Sequence, residues 1–441
     1  MGILLVAIKK VVYTRRSVTP GRATILILLV MVSILYLGLE INTELMLTRR
    51  QTQQYQVIIS LANKESPQKV PKIENKKSNK SDLEKAEDIE KMFPNLPMVF
   101  WQTYNSIEIN DQSSNKSKYE EIEDQKDNKE CGELPNILDI HYNNIYWQQM
   151  ESGGGTFLLY AAFLDTRSSC SFCPMIRVLG MVNRVNPSTT FCQIWIENER
   201  KPVLSPVFEN KLIWSKNFGH YRDGVYLGYM LGCKVPEIAQ NTSIDAVSVV
   251  EKECDKPSTL LKVVKNQTED KNRKLFAVCV KGLDFLEDNS VRIVEWIELL
   301  AALGVDNIIT YELEVHPNVS KVLNYYKSTG FLVVTKHTLA GHQPNLATLQ
   351  HWYLAKRRDN KRQNEVITYN DCFYRNMYKY QYIALLDIDE VIIPKNASSW
   401  GDMIRTIRKN KTVRSSYCFQ NIYFLNNMTK YNEKVKAGVL L

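Results

Sequence analysis

Three acidic residues at the end of one apolar run are the strongest candidates for chemistry. The run YIALLDIDEVIIP carries Asp387, Asp389 and Glu390 directly after its apolar part. Carboxylates beside an apolar core are costly unless a positive group compensates them. The run itself leaves three alternatives open: a metal ion, a basic side chain such as Arg375 or Lys395, or simple solvation.

The spacing of the two aspartates suits a metal ion. In an extended chain, residues two positions apart face the same side, so Asp387 and Asp389 can address one cation. Hard oxygen ligands favour Mg²⁺ or Mn²⁺ over softer metals, and such an ion is usually shared with substrate phosphates. It would neutralise charge that builds up on a departing diphosphate. Because a D-x-D sequence alone is common by chance, the surrounding elements must decide.

The pattern from Lys274 onward predicts a parallel α/β sheet. The strand-like runs LFAVCVKG, VDNIITYE, FLVVTKH and YIALLDIDE alternate with helical patterns. One helix over VRIVEWIELLAALG should end near Gly304, one should run from Pro317 to Gly330, and one is predicted around 370–380. Alternating strands and helices are typical of a parallel sheet with right-handed crossovers. Ligands of such sheets bind outside the carboxyl ends of the strands, where the acidic residues stand.

The preceding segment, 131–270, predicts a β-rich antiparallel domain. Runs such as GTFLLYAAFLDTR and TTFCQIWIENE are rich in β-branched and aromatic residues, and no helix-length pattern separates them. The chain has nine cysteines, which would mostly pair in an oxidising compartment and leave one over. Cys170 and Cys173 have redox-pair spacing without a thioredoxin-like setting, so we expect a structural disulfide.

The N-terminal third predicts a membrane anchor and a stem. Residues 23–39 form an uncharged apolar run with basic residues before it, which favours a transmembrane signal-anchor after a cytoplasmic tail over 1–22; a cleaved signal peptide is the alternative. Residues 40–130 predict a low-complexity luminal stem. Within the stem, the apolar run MFPNLPMVFW predicts a strap docked on the next domain. Glycosylation sequons begin at Asn79, Asn115, Asn241, Asn266, Asn318, Asn396, Asn410 and Asn427.

Composition argues against nucleic-acid binding. Fifty-six Lys and Arg residues against 48 Asp and Glu give a net charge of +8, but the basic residues are spread among acidic neighbours.

The run Lys356–Arg362 either contacts phosphates or forms a solvated helix face. The spacing of His337, His342 and His351 matches no metal-ligand motif. Trp400, Met403, Ile404 and Ile407 repeat at helical spacing and predict core packing rather than a sugar platform.

Several motifs, taken in order, resemble glycosyltransferase family 92. They are KLFAVCVKGLDF, RIVEWIELLAALGVDNIITYE, VLNYYKSTGFLVV and YNDCFYRNMYKYQYIALLDIDEVIIP. The segment around LLYAAFLDTR also resembles the region before the catalytic domain in animal members, so the similarity extends roughly from Thr156 to Phe424. The family contains metazoan and plant enzymes with a GT-A fold. Several of them transfer galactose from UDP-galactose in β-1,4 linkage.

The resemblance implies an incomplete GT-A-like (Rossmann-like) α/β catalytic domain over 271–441, in a type II Golgi membrane protein whose catalytic side is luminal. It implies Mn²⁺ or Mg²⁺ at Asp387 and Asp389, UDP-galactose as donor, and transfer with inversion to a glycan or glycoprotein acceptor. Asn370, Asp371 and Cys372 match the family's NDC segment, and Glu390 extends its D-x-D to D-x-D-E. The expected nucleotide-sugar ligands are Val280, Lys281, Glu312, Asp371, Asp387, Asp389 and Glu390.

One departure from the family opens competing hypotheses. Family members continue to a histidine-containing segment, whereas the last histidine here is His351, before the D-x-D. We therefore expect a chain truncated at its C-terminus, without a third metal ligand or an assignable catalytic base. The alternatives are a catalytically impaired paralogue that binds a glycan or a partner, or that assembles with an active member, and an adhesion ectodomain with a structural Ca²⁺ site. Homo-oligomer formation is also left open.

Overall fold

The computed structural model describes residues 2–5, 81–104, 132–197, 199, 201–265, 272–409, 414–420 and 422. The strands are β1 (Gly2–Leu5), β2 (Tyr142–Asn144), β3 (Trp147–Ser152), β4 (Gly155–Asp165), β5 (Met175–Val182), β6 (Phe191–Ile196), β7 (Val203–Leu212), β8 (Leu227–Lys234), β9 (Ile244–Val250), β10 (Leu261–Val264), β11 (Lys274–Phe285), β12 (Asn307–Val315), β13 (Leu332–Lys336), β14 (Tyr380–Leu385) and β15 (Ser416–Cys418). The α-helices are α1 (Asp82–Met92), α2 (Ser290–Ala302), α3 (Pro317–Ser328), α4 (Ala347–Lys356), α5 (Arg358–Asn376) and α6 (Trp400–Lys409). Short 3₁₀ turns cover Ile137–Asp139, Lys216–Phe218 and Glu237–Ala239.

Strands β2–β10 form one sheet in the order β10-β9-β6-β7-β8-β5-β4-β3-β2. Neighbouring strands are antiparallel. Strand β10 also pairs in parallel with β4, which joins two distant strands of the sheet. Apolar side chains of this sheet pack into one buried cluster, which includes Phe157, Ile194 and Leu231. The β-rich antiparallel segment that the strand patterns predict is therefore present.

The predicted strap docks on this β-rich sheet. Phe100 and Trp101 are buried against Trp195 and Leu260, and the indole of Trp101 donates to the carbonyl oxygen of Pro135 at 2.9 Å. This confirms the expectation for MFPNLPMVFW.

The stretch predicted as low-complexity stem, 40–130, contains the ordered helix α1. Ser81 and Glu84 form a capping box at its start. Ala86 is buried, and Glu90 pairs with Lys262 on β10. The polar composition hid a helix that is stabilised by its capping box and by ion pairs, while Ala86 is its buried apolar residue.

Strands β11–β15 and β1 form a parallel sheet in the order β13-β12-β11-β14-β1-β15. From β11 the chain passes through α2 to β12 and through α3 to β13 on one side, and then returns through α4 and α5 to β14 on the other side. The strand order therefore reverses between β11 and β14. Such a reversal opens a crevice at the carboxyl ends of the two strands.

The helices of this sheet confirm most of the predicted pattern. Helix α2 buries Ile293, Ile297 and Leu300, and Gly304 follows it at φ +90°, a conformation that suits glycine after a helix end. Helix α3 begins with Pro317 at its first turn. In α6, Trp400 and Ile404 are buried, and Met403 and Ile407 pack against the same core, as their spacing predicts.

Helix α5 differs from its prediction. It begins at Arg358 rather than near 370, and it follows another helix, α4, that the sequence patterns did not predict. Its buried side chains are mostly polar, including Gln363, Asn364, Thr368 and Asp371. An apolar period is therefore missing from its first half, which is why the helix escaped detection.

Helix α5 joins the two sheets. Ile367 packs in one apolar cluster with Tyr160, Phe163 and Met230 of the β-rich sheet. On the opposite face, Cys372 forms a disulfide with Cys279 of β11. The predicted boundary at 270/271 lies within 266–271, outside the described residues.

The cysteines follow the predicted distribution. Cys170 and Cys173 form a disulfide, as expected, and Cys192 pairs with Cys233. Cys254 is also disulfide-bonded. Cys418 is the free cysteine of the described part of the chain.

Much of the predicted anchor region lies outside the described residues, including 23–39 and most of 1–22. Within the described ranges, no helix has the length and apolar character needed to cross a bilayer. Gly2–Leu5, within the predicted tail, pairs as β1 between β14 and β15. Residues 2–5 cannot pair in this sheet and also lie on the opposite side of a membrane from it. The paired strand and the predicted cytoplasmic tail are therefore alternatives.

Candidate active site

A cavity of about 210 Å³ opens at the crevice between β11 and β14. The carboxyl end of β11 and the turn after β14 supply its floor, with Val280, Lys281, Asp387 and Asp389 among the lining residues. Helices α2 and α5 close it with Arg292 and Lys361. The D-x-D aspartates therefore lie at the place where an open parallel sheet offers a ligand site.

The strand register brings Lys281 beside Asp387. Cys279 on β11 pairs with Leu385 on β14, and two residues further along each strand stand the lysine and the aspartate. The Lys281 Nζ lies 2.7 Å from Asp387 Oδ2 and 3.2 Å from Glu365 Oε1 on α5. Burial alone would lower the pKa of Lys281, but the two carboxylates outweigh it and raise the pKa. The lysine is therefore held in its charged form.

The second oxygen of Asp387 is also engaged. The hydroxyl of Tyr369 on α5 donates to Asp387 Oδ1 at 3.0 Å. Burial, and then the negative charge of Asp387, raise the pKa of Tyr369, so the phenol stays protonated as a donor. One lysine and one tyrosine thus hold the Asp387 carboxylate, which keeps about 30% of its side-chain surface exposed.

The other two members of the acidic triplet have different roles. Asp389 is exposed and lines the cavity. Glu390 folds back, because its Oε2 accepts from the backbone N–H of Asp387 at 3.1 Å. The Glu390 carbonyl accepts from the indole of Trp296 at 2.7 Å, so this residue fixes the turn that presents the two aspartates.

The residues present fit a divalent cation with its diphosphate. Asp387 and Asp389 offer hard carboxylate oxygens from one cavity wall. The same cavity carries three basic side chains, those of Lys281, Arg292 and Lys361, which would balance phosphate charge. Of the basic run Lys356–Arg362, Lys361 is the member that lines this cavity, while Arg362 lies over the ring of Phe218.

Two of the predicted nucleotide ligands are held away from the cavity by other partners. Glu312 on β12 pairs with Lys336 on β13. Asp371 is 1% exposed, and Arg375 donates to both of its oxygens at 2.8–2.9 Å. The hydroxyl of Tyr311 donates to Asp371 Oδ2 at 2.5 Å. In this structure both carboxylates serve packing: Glu312 joins two strands, and Asp371 neutralises a buried arginine.

Sequence patterns missed two side chains around the site, Glu365 and Tyr369, whereas Lys361 belongs to the basic run that they named as a candidate for phosphate contact. Lys361, Glu365 and Tyr369 lie four positions apart along α5, so they form one stripe that faces the crevice. The i, i+4, i+8 spacing of polar residues was the available signal. It was obscured because the start of α5 had not been recognised.

The histidines do not form a metal cluster among the described residues. His337 is fully buried beside Tyr160 and Tyr311, and burial lowers its pKa to about 3. His351 Nδ1 lies 3.1 Å from Asp284 Oδ2 at the end of β11. Among the described residues, the cluster of three close His, Cys, Asp or Glu ligand atoms is Asp165 with Cys170 and Cys173, and these two cysteines form a disulfide, so the cluster offers no thiolates.

Three of the predicted sequons begin at residues that the structure describes, and five begin outside the described residues. Asn241, Asn318 and Asn396 are exposed. The Asn318 amide nitrogen donates to Asp288 Oδ2 at 2.7 Å, so a glycan there would have to replace that bond. Outside the described residues lie Asn79, Asn115, Asn266, Asn410 and Asn427.

Comparison with known proteins identifies a family and a relative that this chain resembles. The model of glycosyltransferase family 92 matches residues 274–438, which contain β11, the D-x-D and all the cavity-lining residues named above. The chain is also 23% identical over 272 residues to the beta-1,4-galactosyltransferase galt-1 of Caenorhabditis elegans. That alignment covers 59% of this chain and 56% of the nematode protein, so the chain spans little more than half of that relative. Residues 274–438 are a domain of glycosyltransferase family 92.

Proposed function

We propose that the chain is a glycosyltransferase that uses UDP-galactose as donor and a glycan hydroxyl as acceptor, with a GT-A-like arrangement of its parallel sheet. The observation that carries the proposal is the shared cavity: two aspartates and three basic side chains meet at the strand-order reversal of a family 92 domain. The donor sugar is proposed from the galactosyltransferase name of the nematode relative.

The residues of the cavity divide the work of donor binding. Asp387 and Asp389 would hold Mn²⁺ or Mg²⁺, which would supply Lewis-acid stabilisation of the leaving diphosphate. Arg292 and Lys361 would pair with phosphate oxygens, and Val280 offers a buried apolar contact beside them. Glu390 keeps both aspartates on the cavity side through its hydrogen bond to the Asp387 backbone.

In the proposed reaction, an acceptor hydroxyl oxygen attacks the anomeric carbon of galactose. The bond from that carbon to the diphosphate breaks, UDP leaves with the electron pair, and the configuration inverts. The acceptor proton passes to a base that remains unassigned in the described part of the chain. The cations of the cavity favour the forward reaction because they stabilise the negative charge that develops on UDP.

Manganese-dependent release of UDP from UDP-galactose by the purified full chain tests this function. We expect release that requires the metal and that disappears in Asp389→Ala. Asp82→Ala is the matched control, since Asp82 is another exposed aspartate but lies on α1, outside the family 92 domain. Equal release by the wild type and Asp389→Ala would contradict the proposal. Uptake of glycan without any UDP release would favour the binding-only alternative.

We further propose a type II membrane protein of the Golgi, on the strength of the apolar run 23–39 and the sequons. An epitope placed at the N-terminus should be accessible to antibody when only the plasma membrane is permeabilised. A glycosidase should lower the apparent mass of the protein if Asn241 or Asn396 carries a glycan. An N-terminus protected by the Golgi membrane would instead agree with Gly2–Leu5 pairing in the sheet.

A further inference from the structure

Lys281 occupies the position that a metal ion bound to Asp387 would require. Its Nζ lies 2.7 Å from Asp387 Oδ2, while Tyr369 covers the other oxygen. A carboxylate oxygen can accept more than one partner, so Tyr369 can stay in place, whereas an ion that binds Oδ2 meets the ammonium group of Lys281 there. The tyrosine is a neutral donor, but the lysine carries a positive charge that repels the arriving ion.

The surroundings of Lys281 allow it to leave without losing its charge compensation. Glu365 Oε1 on α5 lies 3.2 Å from the same Nζ, so one carboxylate remains after Asp387 is given up. The lysine lines the cavity and is about 27% exposed, and its flexible stem can turn its point charge into the open space. The space into which it turns is where the donor's diphosphate would lie.

We infer that Lys281 is a resident cation that a divalent metal ion displaces from Asp387, and that it then pairs with the diphosphate of the donor. The inference rests on the proposed function, because it requires a nucleoside diphosphate sugar in this cavity. It makes Lys281 a positioning residue with two successive partners. Metal alone should then bind weakly, and metal and nucleotide should strengthen each other's binding.

Charge balance supports this order of events. Without ligand, Lys281 compensates part of the negative charge of Asp387, Asp389 and Glu365. A divalent ion takes over that compensation, and the anionic diphosphate gives the displaced ammonium a new partner. The cavity therefore avoids both an uncompensated acidic cluster before binding and an unpaired lysine after it.

Titration calorimetry with Mn²⁺ alone, and with UDP at saturating Mn²⁺, tests the inference on the purified full chain. Lys281→Met should bind Mn²⁺ alone about tenfold more tightly, because one positive charge beside the site is gone. The same variant should bind UDP about tenfold more weakly in the presence of Mn²⁺. These opposite changes distinguish displacement from a general loss of structure.

Lys361→Met is the matched control. Lys361 lines the same cavity, but its side chain is not the ion-pair partner of Asp387. We expect Lys361→Met to weaken UDP binding while it changes the affinity for Mn²⁺ alone by at most about threefold. Circular dichroism and thermal unfolding establish that each variant is folded. If Lys281→Met is not, Lys281→Gln replaces it, with the same expected directions.

Two outcomes overturn different parts of this account. Unchanged or weaker Mn²⁺ binding by a folded Lys281 variant would overturn the displacement and leave Lys281 as a fixed ion pair. In that case the wild type and Lys361→Met would still take up Mn²⁺, and the wild type would bind UDP. Absence of Mn²⁺ and UDP binding in the wild type and in Lys361→Met would instead overturn the proposed function, and the inference with it.

Discussion

Asp371 and Asp387 have nearly the same partners in two different surroundings. Each carboxylate accepts from one tyrosine hydroxyl and from one basic side chain: Tyr311 and Arg375 for Asp371, Tyr369 and Lys281 for Asp387. The Asp371 side chain is 1% exposed, whereas that of Asp387 is about 30% exposed and borders a cavity.

Exposure and the kind of cation, not the carboxylate, distinguish these two clusters. Arg375 donates from its Nε to both oxygens of Asp371, whose side chain is 1% exposed while that of Arg375 is 18% exposed, so separating this pair would be costly. Lys281 contacts Asp387 at one oxygen and has Glu365 as a second partner. The first cluster is therefore built to persist and the second to exchange partners.

The largest expected effect comes from Asp371→Ala. It leaves the buried guanidinium of Arg375 without its carboxylate, which typically costs about 3–5 kcal/mol. The urea midpoint of the chain should fall strongly, while any variant protein that remains folded should still bind Mn²⁺. Asp82→Ala, at an exposed aspartate on α1, is the control for stability. Loss of metal binding with unchanged stability in Asp371→Ala would contradict the structural role assigned to Asp371.

Asp389→Ala should have the opposite profile. Loss of one carboxylate ligand for the metal is expected to lower the rate of UDP release about 100- to 1,000-fold, comparable to removing a transition-state stabiliser. Because Asp389 is exposed and lines a cavity, the urea midpoint should stay close to that of the wild type. A large loss of stability with normal activity would show that Asp389 belongs with the structural group.

A third prediction concerns the pH dependence of the free energy of unfolding, and it rests on the buried His337, which packs beside Tyr311. Burial lowers the pKa of His337 to about 3, whereas in the unfolded chain it is about 6.5. Between these values only the unfolded chain takes up the proton. The stabilising contribution is therefore complete above pH ~6.5 and falls by about 1.4 kcal/mol per pH unit below it.

Urea unfolding at pH 7.5 and at pH 5.5 measures this effect. His337→Asn should lose less stability than the wild type over that interval. His342→Asn, at an exposed histidine, should behave like the wild type. An identical loss in all three proteins would contradict the assignment of this pH dependence to His337.

The smallest effects come from removing one hydroxyl in each cluster. Tyr311→Phe deletes the donor to Asp371 and should lower the free energy of unfolding by about 1–3 kcal/mol, because a buried acceptor loses its partner. Tyr369→Phe deletes the donor to the more exposed Asp387, where the net contribution is about 1 kcal/mol. Scanning calorimetry measures the stability of both variants, and titration calorimetry measures their Mn²⁺ affinity. We expect Tyr311→Phe to change mainly the stability and Tyr369→Phe to change mainly the Mn²⁺ affinity. Equal changes in both variants would contradict the distinction between the two clusters.

Local sequence patterns predicted what local physics determines. Asp387 and Asp389 follow an apolar strand, and Val294, Ile297 and Leu300 repeat at helical spacing and are buried, so these elements could be placed without knowledge of the fold. The ion pair between Lys281 and Asp387 could not, because it depends on β11 and β14 being neighbours.

Helix α5 marks the limit of pattern analysis. Its buried positions include Gln363, Asn364 and Thr368, which bury polar atoms instead of an apolar stripe. Hydrophobic periodicity is silent for such a helix, and only the packed structure shows which face is inside. Glu365 and Tyr369, which contact Lys281 and Asp387, were missed for the same reason.

The position of α5 between the sheets has a practical consequence. A fragment cut at the family 92 boundary, near residue 274, would strip away the strands that cover Ile367 and would leave that apolar surface facing water. The same helix carries Tyr369 and Glu365, so the loss would also reach the edge that carries Asp387 and Lys281. Expression of the shortest matching fragment is therefore expected to give aggregated material, and enzymology on this protein should begin with the β-rich half still attached.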